Sequence, residues 1–320
     1  MDGEQIEYRD RSRILFLIGA GLLAVGLVSV LLGPIEMYCF YLFSEGGRFH
    51  YPGFGFGSFM FANLACQIAG YYLIALLCIP LGYAHLRLRR WARVVSLALI
   101  WCWLILGIPL SVVFLFMLFG SKELSLTIAI TVMIALGGAY LAAPWVMLQF
   151  YRSRDVQRTF ESRDPHPHWT EDLPTPILTL EILLIFFAIA LHALILFNGI
   201  FPLFGFWLTG LDGILFIALA ILFLALLAWG CSQLKKWAWW GTLIFLSLLT
   251  GSAMLTLSKT SYPELLSLMN FPPTEMEILD GLPLQGYHFA IFCGLPLILT
   301  LVLLLISKGS FQAYDRTSGN

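Results

Sequence analysis

The chain has 320 residues, 59% of them hydrophobic and 12% charged, with a mean hydropathy of +0.86 and a formal net charge of −1. Charged residues make up about a quarter of an ordinary soluble domain, so this composition excludes one. The near-zero charge also offers nothing to nucleic acid, and the chain belongs in a bilayer.

A helix of about 20 apolar residues crosses roughly 30 Å of hydrocarbon. Eight stretches approach that length: residues 14–32, 59–83, 94–119, 124–150, 177–197, 213–230, 239–257 and 287–306. Period-two alternation is absent, and lipid-exposed backbone must satisfy its own hydrogen bonds. The pattern therefore predicts an all-α, polytopic membrane protein with eight transmembrane helices rather than a barrel. The first stretch is too long for the apolar region of a typical secretory signal, and no small-x-small cleavage site precedes Gly33-Pro34, so it is expected to remain as a membrane helix.

Between the first two helices, residues 35–61 hold ten Phe and Tyr among glycines, a composition suited to an aromatic belt at the membrane surface. Gly53-x-Gly55-x-Gly57 superficially looks like a phosphate loop but lacks the preceding strand and the following Lys-Ser/Thr. On the second helix Asn63 and Gln67 lie one turn apart and form a polar spot. Small residues at four-residue spacing, Ala20 and Ala24 on the first helix, Gly138 and Ala142, and Ala139 and Ala143 on the fourth, predict close helix contacts. Pro80, Pro109, Pro144 and Pro296 are expected to kink four helices. In the fifth helix Glu181 lies one turn in from its start, and His192 is the deepest ionisable candidate. Residues 258–286 contain YPELLSLMNF, which reads as a short interfacial helix.

Of 18 basic residues, 15 fall in alternate segments: Arg9, Arg11 and Arg13; Arg87, Arg89, Arg90 and Arg93; Arg152, Arg154, Arg158 and Arg163; Lys235 and Lys236; Lys308 and Arg316. Arg48, Lys122 and Lys259 fall on the other side, with Glu36, Glu45, Glu123, Asp212, Glu264, Glu275, Glu277 and Asp280. Basic loops stay in the cytoplasm, so both termini are expected there. No Asn-x-Ser/Thr sequon occurs, which favours a bacterial inner membrane as the home. Cys66, Cys78, Cys102, Cys231 and Cys293 fall in or at the ends of apolar helices and only Cys39 lies clearly outside, so the cysteines read as packing residues.

Residues 86–100 and 232–246 can be laid over one another, with Arg89, Arg90, Trp91 and Ala92 against Lys235, Lys236, Trp237 and Ala238. This register predicts two parallel four-helix repeats, residues 1–150 and 176–320, joined by a central cytoplasmic linker at 151–175. In the linker, 151–162 is expected to continue the fourth helix, with Asp155 and Arg158, then Arg158 and Glu161, paired at three-residue spacing. Asp164-Pro165 should end it, and Thr175-Pro176 reads as the cap and first residue of the fifth helix.

Chemistry-bearing groupings are few. His166 and His168 alternate as metal ligands can, with Asp164, Glu171 or Asp172 nearby, yet they lack the helix spacing of H-E-x-x-H, so no metal and no cofactor are expected. LDGIL at 211–215 lacks the further aspartates of a lipid-headgroup transferase, and no Ser and His pair at matching helix depths. No nucleophile, base and oxyanion donor assemble into an enzyme site, and the sequence leans away from one. Two binding sites remain: a docking surface formed by Arg163, Asp164, Trp169 and Asp172, and a cavity between the repeats lined by Asn63, Gln67 and His192.

One stretch carries a resemblance. Tyr151, Arg152, Ser153, Val156, Thr159, Phe160, Glu161, Arg163, Asp164 and Pro165, followed by Trp169, Thr170 and Glu171 and then Pro174, Pro176, Ile177 and Leu178, fit a Y-R-S-x-x-V-x-x-T-F-E-x-R-D-P, W-T-[DE], P-x-P-[IV]-L pattern. It resembles a loop of uncharacterised bacterial multi-pass membrane proteins, over about 30 residues. The resemblance implies weight on this loop and no particular activity. The expected function is a non-enzymatic membrane component, embedded among membrane lipids, that docks a cytoplasmic or membrane protein partner through the linker. The alternative is a carrier or binder of a lipid-like or apolar molecule between the repeats.

Overall fold

The computed structural model describes residues 8–51, 53–55, 57–120, 125–282 and 284–312. Lys122, Glu123 and Arg316 of the charge count lie outside them. Among the described residues the apolar runs form eight helices long and apolar enough to cross a membrane. They are α1 (Ser12–Phe43), α2 (Phe59–Leu86), α3 (Arg90–Gly120), a fourth span at Leu126–Arg152, α7 (Thr175–Leu196), α8 (Gly210–Ser232), α9 (Lys236–Lys259) and α12 (Gly286–Ile306). The fourth span has three parts: α4 (Leu126–Gly137), a π-helical turn at Gly138–Ala142, and α5 (Ala143–Arg152). Short elements fill the connections: α6 (Arg154–Arg163), an antiparallel hairpin of β1 (Phe201–Leu203) and β2 (Phe206–Leu208), α10 (Tyr262–Met269) and α11 (Pro273–Asp280).

The first span is longer than its apolar core suggests. It runs through Pro34 to Phe43, about 48 Å of helix, so Gly33-Pro34 does not end it. Glycine explains how it is held. Gly19, Gly26 and Gly33, seven apart, form the buried stripe of α1 with Leu15 and Ser29. A methyl group on Gly26 would meet the Ile79 side chain at 2.6 Å and one on Gly33 the Tyr72 hydroxyl at 2.7 Å, while one on Gly82 would meet the Leu23 nitrogen at 2.7 Å and the Gly19 carbonyl at 2.8 Å, so near Gly19 α1 and α2 touch almost backbone to backbone. The expected small-residue pairs do not make this contact. Ala20, Ala24, Gly138, Ala139 and Ala142 are exposed, and the last three coincide with the π turn, where the extra residue per turn rotates the face away.

The span ends collect into two groups. At one end, which carries the arginine-rich segments, the N-terminal segment meets α6 through Arg11 and Asp155 at 3.1 Å, and the α2–α3 turn meets the linker. At the opposite, acidic end, Glu275 of α11 accepts hydrogen bonds from the first amides of α2, Phe59 at 2.6 Å and Met60 at 3.1 Å. Across the middle, α3 packs against α7 and α12: Cys102 and Ile105 lie on Leu183 with Phe187, Leu299 and Leu303 around them, and Val94 and Ala98 lie on Leu178.

The two basic turns follow one hydrogen-bond course. Leu88 (φ 49°) and Leu234 (φ 52°) both adopt the left-handed conformation that closes a helix. The Arg89 amide then donates to the Ala84 carbonyl at 2.8 Å, and that of Lys235 to Gly230 at 3.0 Å. Below each turn the same positions meet again: Ser96 lies 3.5 Å from His85, and Thr242 lies 3.6 Å from Cys231. The Arg93 side chain donates to the Tyr151 carbonyl at 3.1 Å, while Trp239, its counterpart in register, donates to the Leu304 carbonyl at 3.0 Å.

Candidate functional site

Ser153 breaks the helix that the sequence would run unbroken from the fourth span into the linker. Its backbone is extended, and its hydroxyl accepts from the Val156 amide at 3.4 Å, capping α6 afresh. The break turns α6 so that Val156, Thr159 and Phe160 enter the core of the first half. The pairs expected along this helix are replaced: Asp155 reaches back to Arg11, and Glu161 accepts from Gln157 at 2.8 Å. At the far end α7 begins one residue earlier than expected, with Pro174 rather than Thr175 in the cap position.

Between these helices the linker is pinned to the start of α3. Asp164 is buried and its carboxylate accepts from the Arg90 amide at 3.4 Å, with the Arg89 guanidinium 3.7 Å away. A carboxylate at a helix N-terminus satisfies an orphan amide and opposes the positive end of the helix dipole. Glu171 takes the Arg90 side chain in a two-pronged pair, 2.9 Å from Nε and 2.5 Å from Nη2. The two prongs fix orientation as well as distance. Thr170 is buried beneath, and the rings of Trp91, His168 and Trp169 follow one another at 6.3 and 5.6 Å between centroids.

On this base the proposed docking residues divide. Trp169 is 60% exposed, and Arg163 and Asp172 are exposed, Arg163 lying 3.8 Å from Asp10. Asp164 faces inward and is occupied by α3. The histidines do not gather with these acids: His168 caps the short helical turn at Trp169–Glu171 through its Nδ1, and among the described residues no three His, Cys, Asp or Glu side chains group as metal ligands.

Asn63, Gln67 and His192 are all exposed on the outer surface of the helices. His192 donates from Nδ1 to the Ala188 carbonyl at 2.8 Å, within its own helix. Phe59 and Phe197 share a cluster at the acidic end, so Asn63 and His192 each lie about one turn below a common contact of α2 and α7.

Sequence reasoning missed a buried polar cluster under the first basic turn. His85 Nδ1 donates to the Leu81 carbonyl at 2.8 Å, which leaves Nε2 as an acceptor for the Tyr151 hydroxyl at 2.7 Å. Phe160 packs edge-on against the same imidazole at 5.8 Å. Ser96 and His85 are thus a serine and histidine at matching depth, contrary to expectation, because the reversal at Leu88 brings residues on either side of it level. The imidazole nitrogen that would act as base already accepts from Tyr151, and all three side chains are buried. The cluster ties α2, α3, α5 and α6 together. Its sequence signal was slight: a lone histidine and a tyrosine, each at the basic end of an apolar run.

These features define a polytopic, α-helical membrane protein whose ordered surface feature at the basic end is the linker. No protein-family model, no curated protein and no solved structure matches the chain.

Proposed function

We propose that the chain is a membrane component that docks a partner protein through its central linker, and that the linker lies in the cytoplasm of a bacterial cell with both termini beside it. The observation that carries this reading is the exposed Trp169 on a backbone fixed by Asp164 and Glu171. A large aromatic held rigid in advance loses little entropy on binding, which is what interface hot spots need. The resemblance of this loop to loops of other multi-pass membrane proteins adds weight to it. The matching turns and the buried pairs beneath them support a duplicated four-helix unit as the scaffold.

The test is retention of co-purifying protein by the full chain in native bilayer discs. Trp169→Ala combined with Asp172→Ala should remove the partner and leave the melting temperature within about 3 °C of wild type, since surface changes cost within about 0.5 kcal/mol. Equal retention by wild type and the double variant would sink the reading. Asp164 is left intact because its loss would unpin α3. A second reading, binding of a lipid-like molecule between the halves, is favoured by the exposed polar side chains of Asn63 and His192 below the α2–α7 contact, since polar groups facing hydrocarbon call for a partner. The filled contact of α3 with α7 and α12 weighs against an enclosed cavity there.

A further inference from the structure

At the arginine-rich end, the start of α1 and the end of α2 enclose a groove of about 500 Å³ lined by Ser12, Arg13, Phe16, Leu17, Leu86 and Leu88. Its two sides are held by different parts of the fold. The α1 side is anchored to α6, with the Arg11 guanidinium on Asp155 at 3.1 Å and the Arg11 amide on Thr159 at 3.1 Å. The α2 side is set by the left-handed Leu88, which turns the chain off toward α3. A space is left between them at the tip of two long apolar helices.

The charges around this space are uneven. Arg11 is paired and Arg163 lies near Asp10, whereas Arg13 makes no hydrogen bond or close ion pair among the described residues and acts on Asp10 only through space, as a weaker influence than Ser12 and Arg163. Its nearby acid, Asp10, is already engaged by the hydroxyl and amide of Ser12. Arg87, between the lining residues Leu86 and Leu88, rests its guanidinium 5.7 Å from the Tyr83 ring centroid and is exposed. Among the described residues no carboxylate lines the groove. Four apolar side chains below a guanidinium at the end of membrane-length helices fit a molecule with one anionic head and a hydrocarbon tail. A guanidinium matches a phosphodiester with two parallel donors. Free phosphate would leave the apolar walls unused.

We propose that this groove holds an anionic phospholipid, its phosphodiester on Arg13 and the first methylenes of an acyl chain against Phe16, Leu17 and Leu86. The site is independent of the docking surface on the linker. It is tested with the full chain in phosphatidylcholine bilayers containing a small fraction of photoactivatable phosphatidylglycerol, the labelled peptides being mapped by mass spectrometry. Adducts should concentrate on residues 12–17 and 86–88. Arg13→Gln should lower that yield about fivefold, the share one basic residue contributes toward anionic lipid, with Arg13→Lys restoring most of it. Arg152→Gln, an exposed arginine stacked on Trp101 away from the groove, should leave it unchanged. Equal labelling of these peptides by photoactivatable phosphatidylcholine in the wild type, or adducts spread along the spans, would overturn the proposal without reference to any variant. Displacement of the label by millimolar inorganic phosphate would overturn it in favour of a free anion.

Discussion

The turns at Leu88 and Leu234 share a backbone and differ in what covers them. Over the first lies the linker, with Asp164 and Glu171 gripping Arg89 and Arg90 and a buried His85–Tyr151 hydrogen bond beneath. In the second, Trp237 is 46% exposed, and the position of His85 is taken by Cys231, whose polar neighbour is Thr242 at 3.6 Å. A helix reversal of this kind therefore needs no histidine beneath it. In the first half Asp164, Glu171 and His85 turn a connecting segment into a fixed platform.

The buried layer should separate the two turns most. His85→Ala leaves a cavity and a buried Tyr151 hydroxyl without its acceptor, and should cost about 3 to 4 kcal/mol in detergent-monitored unfolding. Cys231→Ala removes one sulfur atom beside Thr242 and should cost about 1 kcal/mol. Equal losses would erase the distinction. The clamp comes next. Glu171→Gln removes a charge-assisted pair and should cost about 1 to 2 kcal/mol, an effect that shrinks at high salt, whereas Lys235→Gln on the second turn should stay within about 0.5 kcal/mol. The same unfolding assay, run at two ionic strengths, decides between them.

The smallest effect is one of pH. Hydrogen bonds from the Ser12 hydroxyl and amide hold the Asp10 carboxyl below its usual value, with Arg163 assisting. A lowered folded-state value means that the contribution is present above the usual carboxylate range and is lost as pH falls through the folded value. Asp10→Asn should therefore lose this small contribution at pH 7 and converge with the wild type as pH falls below about 4, flattening the acid limb of the stability curve, as a melting series across that range would show.

The spans were legible because length and hydropathy report the bilayer directly, and the basic turns were legible because Arg-Arg-Trp-Ala and Lys-Lys-Trp-Ala share a pattern. The site was legible only as exposure. Trp169 is exposed, whereas Asp164, four residues after Phe160 in the same polar run, is turned inward. Nothing local tells a carboxylate that faces solvent from one that caps a helix more than 70 residues away in the chain. The break at Ser153 was hidden by the good helix formers on both sides. The glycine stripe of α1 has members seven apart, so it does not show the four-residue spacing of small residues by which close helix contacts are recognised in a sequence.

The hydrogen bonds from the start of α2 to Glu275 join residues 216 and 215 positions apart. On a ribosome adding about 5 to 20 residues per second, the second span is made roughly 10 to 40 s before the group that caps it exists. Until then the Phe59 and Met60 amides must be served by water or lipid headgroups. The earliest helices to enter the bilayer are thus finished late, and a chain truncated before α11 would carry all of α2 with Ser58 still capping the Phe61 amide but the Phe59 and Met60 amides without their acceptor.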